Sequence, residues 1–185
     1  MRWDFSDHNV LVIGGSSGIN LGIAQGFAQA GAKLGVVSRS QEKVDAAVSV
    51  LSTQTEAIGF SADVRDYEAI ATCSHDFCEH FGPIDVLVSG AAGNFPAPLT
   101  GMSANGFKAV MDIDLLGTFH VMRSTNAFLA NAGSTVINDA APEAFQPMQM
   151  HAHGCDAKDG VDSLTRVQAL AGGWASHHLT PPSSP

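Results

Sequence analysis

A run of small residues near the start of the chain, Gly14-Gly15-Ser16-Ser17-Gly18 followed by Ile19, is the strongest chemical signal in the sequence. Glycines at 14 and 18 permit a tight turn and a close approach of backbone to a ligand, and the amides that open a following helix attract phosphate. The loop follows the β-branched run NVLVIG (9–14) and precedes a helical pattern, the context that a pyrophosphate turn of a dinucleotide site requires. Gly14, Ser16, Ser17, Gly18 and Ile19 are therefore candidate cofactor contacts. A second signal closes the next β-branched run. Ser38-Arg39-Ser40 holds no acid to accept a ribose 2′-hydroxyl, whereas the Arg39 guanidinium and the Ser40 hydroxyl suit a 2′-phosphate. The pattern favours NADP(H) over NAD(H); a solvated surface arginine is the alternative.

A third signal is an acid on an apolar stripe. Phe107, Met111, Asp114, Thr118 and Val121 follow steps of three and four residues, which share one helix face, while Asp112 falls on the polar side. A carboxylate on a buried face is costly unless paired or useful, and desolvation raises its pKa toward the range of a proton donor. Asp114 is thus a candidate acid, with a structural aspartate bonded to nearby backbone as the alternative.

Two other clusters carry less. Cys73, His75, Cys78 and His80 have metal-like residue types, but on one helix they diverge and cannot converge on a tetrahedral ion. His151, His153 and Cys155 alternate at the start of a helix, where they are better placed to line a substrate pocket than to bind metal. No metal site is expected.

These residues need a scaffold. Residues 9–14, 33–38, 57–61, 84–89 and 134–138 are short apolar runs of the kind found in strands buried on both faces. Between them lie helical repeats: Ile19, Ile23 and Phe27; Val44, Ala47, Val48 and Leu51; Ile70, Cys73, Phe77 and Phe81; and Phe107, Val110, Met111, Val121 and Phe128 along a longer helix. A last helix spans about 153–171. Alternating strands and helices predict an α/β fold with a parallel sheet, which binds ligands at the carboxyl ends of its strands. After Leu170 the segment AGGWASHHLTPPSSP has no apolar period, and 173–185 is expected to be an unstructured tail beyond a dinucleotide-binding domain of 1–172.

Composition narrows the classes further. The 185 residues carry a net charge of −9 with nine scattered basic residues, a poor match to nucleic acid. No apolar run approaches the length of a membrane span, and the N-terminus has no apolar leader. Three unevenly spaced cysteines make no disulfide framework, so a cytoplasmic setting is the expectation.

From about Asn9 to about Leu170 the chain resembles the short-chain dehydrogenases/reductases, above all the peroxisomal-type 2,4-dienoyl-CoA reductases and their bacterial relatives. GGSSGI is similar to the glycine motif of that family, with Asn20 where its last glycine is usual. Ala62-Asp63-Val64 is similar to the segment that holds the adenine. Ser89–Phe95 (SGAAGNF) resembles NNAAGNF with both asparagines replaced, by Ser89 and Gly90. The resemblance implies cofactor contacts at Asp63, Val64, Gly90, Ala91 and Ala92. It places Asp114 at the active-site position that is aspartate in the peroxisomal-type reductases. It also matches Lys158 to the lysine of Tyr-x-x-x-Lys, implying a role in holding the nicotinamide ribose and in catalysis. The tyrosine position is Gly154, the usual serine after the fifth strand is Ala140, and Tyr67, the only tyrosine, follows the adenine segment.

The resemblance implies a Rossmann-type doubly wound sheet of order 3-2-1-4-5, truncated before the last strands. It further implies an NADP(H)-dependent oxidoreductase that transfers hydride to an enoyl or carbonyl substrate of acyl-CoA type, such as a 2,4-dienoyl-CoA, working as a homo-oligomer. The alternative is a truncated, inactive nucleotide-binding remnant or a cofactor-sensing module.

Overall fold

The computed structural model describes residues 3–130, 133–172 and 175–179, with 171, 172 and 175–179 as backbone only. Strands β1 (Asn9–Ile13), β2 (Lys33–Ser38), β3 (Ala57–Ser61), β4 (Val86–Ser89), β5 (Thr135–Asp139) and β6 (Ala175–Leu179) form one parallel sheet, ordered β3-β2-β1-β4-β5-β6. The first five strands keep the expected order.

Both faces of the sheet are covered because successive strand side chains point opposite ways. Val10 and Val12 join Leu34, Val36 and Val88 on one face, packed on α1 (Gly18–Gln29) and α2 (Gln41–Leu51). Leu11 and Ile13 join Val37, Leu87 and Val136 on the other, under α3 (Tyr67–Phe81) and α5 (Gly117–Thr125). Helix α6 (Ala152–Gly172) follows β5. The chain winds outward from β1 to β3, then crosses to β4 and winds the other way. That reversal opens a crevice at the carboxyl ends of β1 and β4.

Three features depart from the sequence reading. In α1 the buried stripe is Asn20, Ala24 and Ala28, one position along from the repeat of Ile19, Ile23 and Phe27. Small residues let the helix backbone lie close on the sheet, while Ile19 stays 62% exposed at the mouth of the crevice. The long helix is interrupted. Residues Met111–Leu116 form a π-helical turn between α4 (Ala104–Val110) and α5. Such a turn takes in one extra residue. Upstream of it, of the expected Phe107, Val110 and Met111, only Val110 is buried and the other two are half-buried, while Asp114, Thr118 and Val121 keep the expected face.

The third departure is β6, where 173–185 was expected to be unstructured. Ala175–Leu179 pairs with β5 from Thr135↔Ala175 to Asp139↔Leu179. The outer edge of β5 offers a row of main-chain donors and acceptors, and an extended segment satisfies them whatever its side chains. Backbone pairing of this kind leaves no apolar period to read. Residues 173–174 and 180–185 of the expected tail lie outside the described residues.

Candidate active site

The crevice at the strand ends has a volume of about 830 Å³. Its floor is the glycine loop. Gly14 has φ +81° and Gly18 φ +58°, left-handed values that favour glycine. A Cβ on Gly14 would lie 2.9 Å from the peptide of Gly90 and Ala91, so only glycine lets these two loops touch. Ser17 precedes α1 without capping it through its side chain, leaving the first-turn amides facing the crevice for an anion. Gly14, Ser16, Ser17, Gly18 and Ile19 all line it.

Arg39 and Ser40 stand at the end of β2 on the same crevice, joined by Lys43 from the first turn of α2. Ser40 caps α2, its Oγ accepting from the Lys43 N–H at 3.4 Å, so its hydroxyl proton remains free to donate. Two exposed cations and a hydroxyl form a fitting receptor for a phosphate. Asp63 and Val64 flank them. The Asp63 carboxylate is tied to the Arg65 guanidinium at 2.5 Å, and that bond holds its pKa below the usual value. Gly90, Ala91 and Ala92 close the crevice from the β4 side. The residues present thus fit a dinucleotide with an added phosphate. A larger groove, about 960 Å³ beside Trp3, Phe5 and Phe27, has no ionisable side chain in its lining.

Beyond the crevice lies a compact charged group. Asp114 is 2% exposed, and its Oδ1 accepts from the Gly93 N–H at 2.7 Å. Lys158, 8% exposed, donates from Nζ to the Asp139 carbonyl at 2.7 Å. Burial pushes both the Asp114 and the Asp139 carboxyls above their ordinary value, and the Lys158 ammonium pulls each back down. One buried cation therefore acts on two acids, Asp114 buried and Asp139 half-buried, and favours the charged form of each against desolvation. The backbone bond to Asp114 matches the structural alternative, yet the carboxyl also shares the field of Lys158; the two readings coexist.

Sequence reasoning missed Lys43, Asp139 and the neighbourhood of Gly154. Asp139 ends β5 and lines the crevice, a placement that the strand-end rule could have flagged. A Cβ on Gly154 would lie 2.5 Å from Asn94 Nδ2 and 3.1 Å from Glu143 Oε1, so these side chains fill the tyrosine slot. Asn94 Nδ2 donates to Glu143 Oε1 at 3.3 Å and sits 3.3 Å from His151 Nδ1. His153 is fully buried with neither ring nitrogen bonded, its ring edge-on to Phe95 at 4.7 Å. On α3, by contrast, the cysteines and histidines scatter. Cys73 is in the core, His75 is beside Asp76, Cys78 packs near the Phe128 carbonyl and His80 meets Glu56.

The family model for short chain dehydrogenases matches residues 8–178. The chain belongs to this family. It is 36% identical over 173 residues to a peroxisomal 2,4-dienoyl-CoA reductase of Arabidopsis thaliana, covering 88% of this chain and 58% of that protein. It is 32% identical over 172 residues to a probable 2,4-dienoyl-CoA reductase of Bacillus subtilis, covering 91% of this chain and 67% of that one. Among solved structures, a short chain dehydrogenase from Bacillus anthracis superposes with TM-score 0.84 at 31% identity, covering 91% of this chain and 71% of that chain. A dehydrogenase/reductase from Sinorhizobium meliloti gives TM-score 0.89 at 26% identity, covering 97% and 74%. The chain spans 58% of the length of its peroxisomal relatives from Arabidopsis thaliana and Rattus norvegicus. Among the described residues no helix is long and apolar enough to cross a membrane.

Proposed function

We propose that this short-chain dehydrogenase is an NADP(H)-dependent oxidoreductase acting on an enoyl or carbonyl group of an acyl-CoA-like substrate, with a 2,4-dienoyl-CoA as the first candidate. The observation that carries the reading is the buried pair Asp114 and Lys158, with half-buried Asp139 beside them, adjoining a crevice lined by the glycine loop, Arg39 and Lys43. Two matched relatives are named 2,4-dienoyl-CoA reductases, which supports the substrate class.

Bound NADPH would supply the hydride to an electron-poor carbon of the substrate. The chain supplies the remainder. The glycine loop and the α1 amides hold the pyrophosphate, Arg39, Ser40 and Lys43 hold the 2′-phosphate, and Asp63 and Val64 bound the adenine. Lys158, fixed by the Asp139 carbonyl, offers its other protons to ribose hydroxyls and keeps positive charge beside the reacting group. Asp114, whose carboxyl burial pushes above its ordinary value, delivers the proton that balances the hydride, directly or through water.

Oxidation of NADPH by purified protein on addition of 2,4-dienoyl-CoA thioesters is the test; no oxidation with any of them overturns the reading. One observation favours a second reading. The tyrosine slot is filled by Asn94 and Glu143, which suits a chain that binds the cofactor without turnover. Tight NADPH binding in a titration with no reaction across enone and carbonyl substrates would establish that version. The proposal takes the protein as a cytoplasmic homo-oligomer, checked by light scattering and by imaging of the tagged protein.

A further inference from the structure

We infer that Asn20 is a positioning residue of the cofactor crevice, acting through the peptide of Gly90. The inference rests on the proposed dinucleotide site. Three groups hold that peptide. The Gly90 N–H donates to the Ile13 carbonyl at 3.0 Å, which continues the β1–β4 pairing. The Gly90 carbonyl accepts from Asn20 Nδ2 at 2.8 Å. Its carbonyl carbon and oxygen would lie 2.9 Å from a Cβ on Gly14, so the pyrophosphate turn packs directly on it.

The space for this contact exists only because residue 90 has no side chain. A Cβ there would lie 2.3 to 2.6 Å from the Asn20 amide. Both positions depart from the family pattern, and in opposite senses: asparagine where the last glycine of the loop is usual, glycine where an asparagine is usual. The two departures meet at one contact: the Asn20 amide takes the space that a side chain at 90 would occupy.

The grip matters because residues 90–93 have no regular secondary structure of their own. Asn20 holds the segment at one end. At the other, the Gly93 N–H is held by Asp114. Asn20 is 6% exposed and lines the crevice, and its Oδ1 is enclosed with no protein partner. An enclosed acceptor of this kind is satisfied when a ligand donor or an ordered water enters.

The test is a double-mutant cycle on the full chain, reading NADPH Kd by fluorescence and the melting midpoint of the ligand-free protein. Asn20→Gly and Gly90→Asn are each expected to weaken NADPH binding by about tenfold, one by losing the bond and the other by collision. The double variant is expected to recover to within about threefold of the unaltered chain, a coupling typical of residues in contact. Single effects that simply multiply, or a coupling visible in melting but absent from Kd, overturn the inference. Where a single exchange does not fold, a double variant that folds and binds NADPH supports it, and one that does neither overturns it. An unaltered chain that binds no dinucleotide overturns the proposed function and this inference together; one that binds while the cycle shows no coupling overturns the inference alone.

Discussion

The two ends of the site are built from different materials. The nucleotide end uses backbone: left-handed glycines, first-turn amides and exposed cations on short connections. The chemical end uses buried and half-buried ionisable side chains brought from a π-helical turn, the end of β5 and the second turn of α6. A backbone cradle depends on a few adjacent residues and on which of them lack a Cβ. A buried charge group depends on three elements spread over 114–158, and each member needs the others. The first kind of site is local and robust; the second is cooperative, and removal of its one cation leaves both acids to the full cost of desolvation.

The sharpest way to break this contrast is to remove the shared cation. Lys158→Met keeps most of the volume but leaves Asp114 and Asp139 without their buried counter-charge. The Asp139 carbonyl also loses its donor, and a loss of about 1–3 kcal/mol in urea unfolding at neutral pH is expected, together with loss of turnover. Both carboxyls have pKa values raised above the ordinary 3.8, so the folded chain binds protons more tightly than the unfolded chain. Their contribution to stability is therefore greatest below that value and declines as pH rises through the raised ones. In the variant the penalty should shrink on acidification. A pH-independent loss would mean that Lys158 matters through packing alone.

Asp114→Asn separates chemistry from folding. The amide oxygen can still accept from the Gly93 N–H, while the transferable proton is gone. Turnover should fall by about 100-fold or more, with NADPH Kd changed little. Because burial disfavours the ionised form, the variant should be more stable than the parent at neutral pH, and the gain should vanish in acid. Unchanged turnover would remove Asp114 from the chemistry and leave it as a prop for the β4 loop.

Gly14→Ala tests the backbone end. The new Cβ meets the Gly90 peptide at 2.9 Å and holds a φ of +81° that alanine rarely adopts. The strain costs about 1–3 kcal/mol, and because the loop must yield, NADPH Kd should rise by about tenfold or more while the Asp114–Lys158 group stays intact. A Kd within twofold would show that the loop contact with Gly90 is dispensable.

Legibility in the sequence follows the same division. The strands themselves, the glycine loop and Arg39-Ser40 were legible because each is a local pattern, whereas strand order and the crevice-lining residues 63–64 and 90–92 came only through the family resemblance. Asp114 was legible as an acid on an apolar stripe, and it is buried, although the π-helical turn that carries it left no mark in the residue types. Lys158 required the family spacing, since nothing about a lysine in a helix announces burial. Asn94 and Glu143 were hidden because their placement comes from long-range packing against Gly154, whereas Asp139 stood at a strand end where the general rule could have flagged it. Strand β6 was hidden because main-chain pairing needs no apolar alternation. Asn20 was visible only as an irregularity, and its partner at Gly90 gives that irregularity a cause.

The smallest expected effect concerns the choice between the two cofactors. Arg39 is exposed, so its hold on a phosphate competes with water and is screened by salt. Lys43 shares the crevice and can take part of the load. Arg39→Ala should therefore weaken NADPH binding by about tenfold, in line with loss of one charge-assisted contact, and leave NADH binding nearly unchanged. The difference should narrow as ionic strength rises, whereas the penalty at Gly14 should not, since steric strain is indifferent to salt. Equal losses for the two cofactors would place Arg39 on the adenosine body rather than the 2′-phosphate, and the preference would then pass to Lys43 and Ser40.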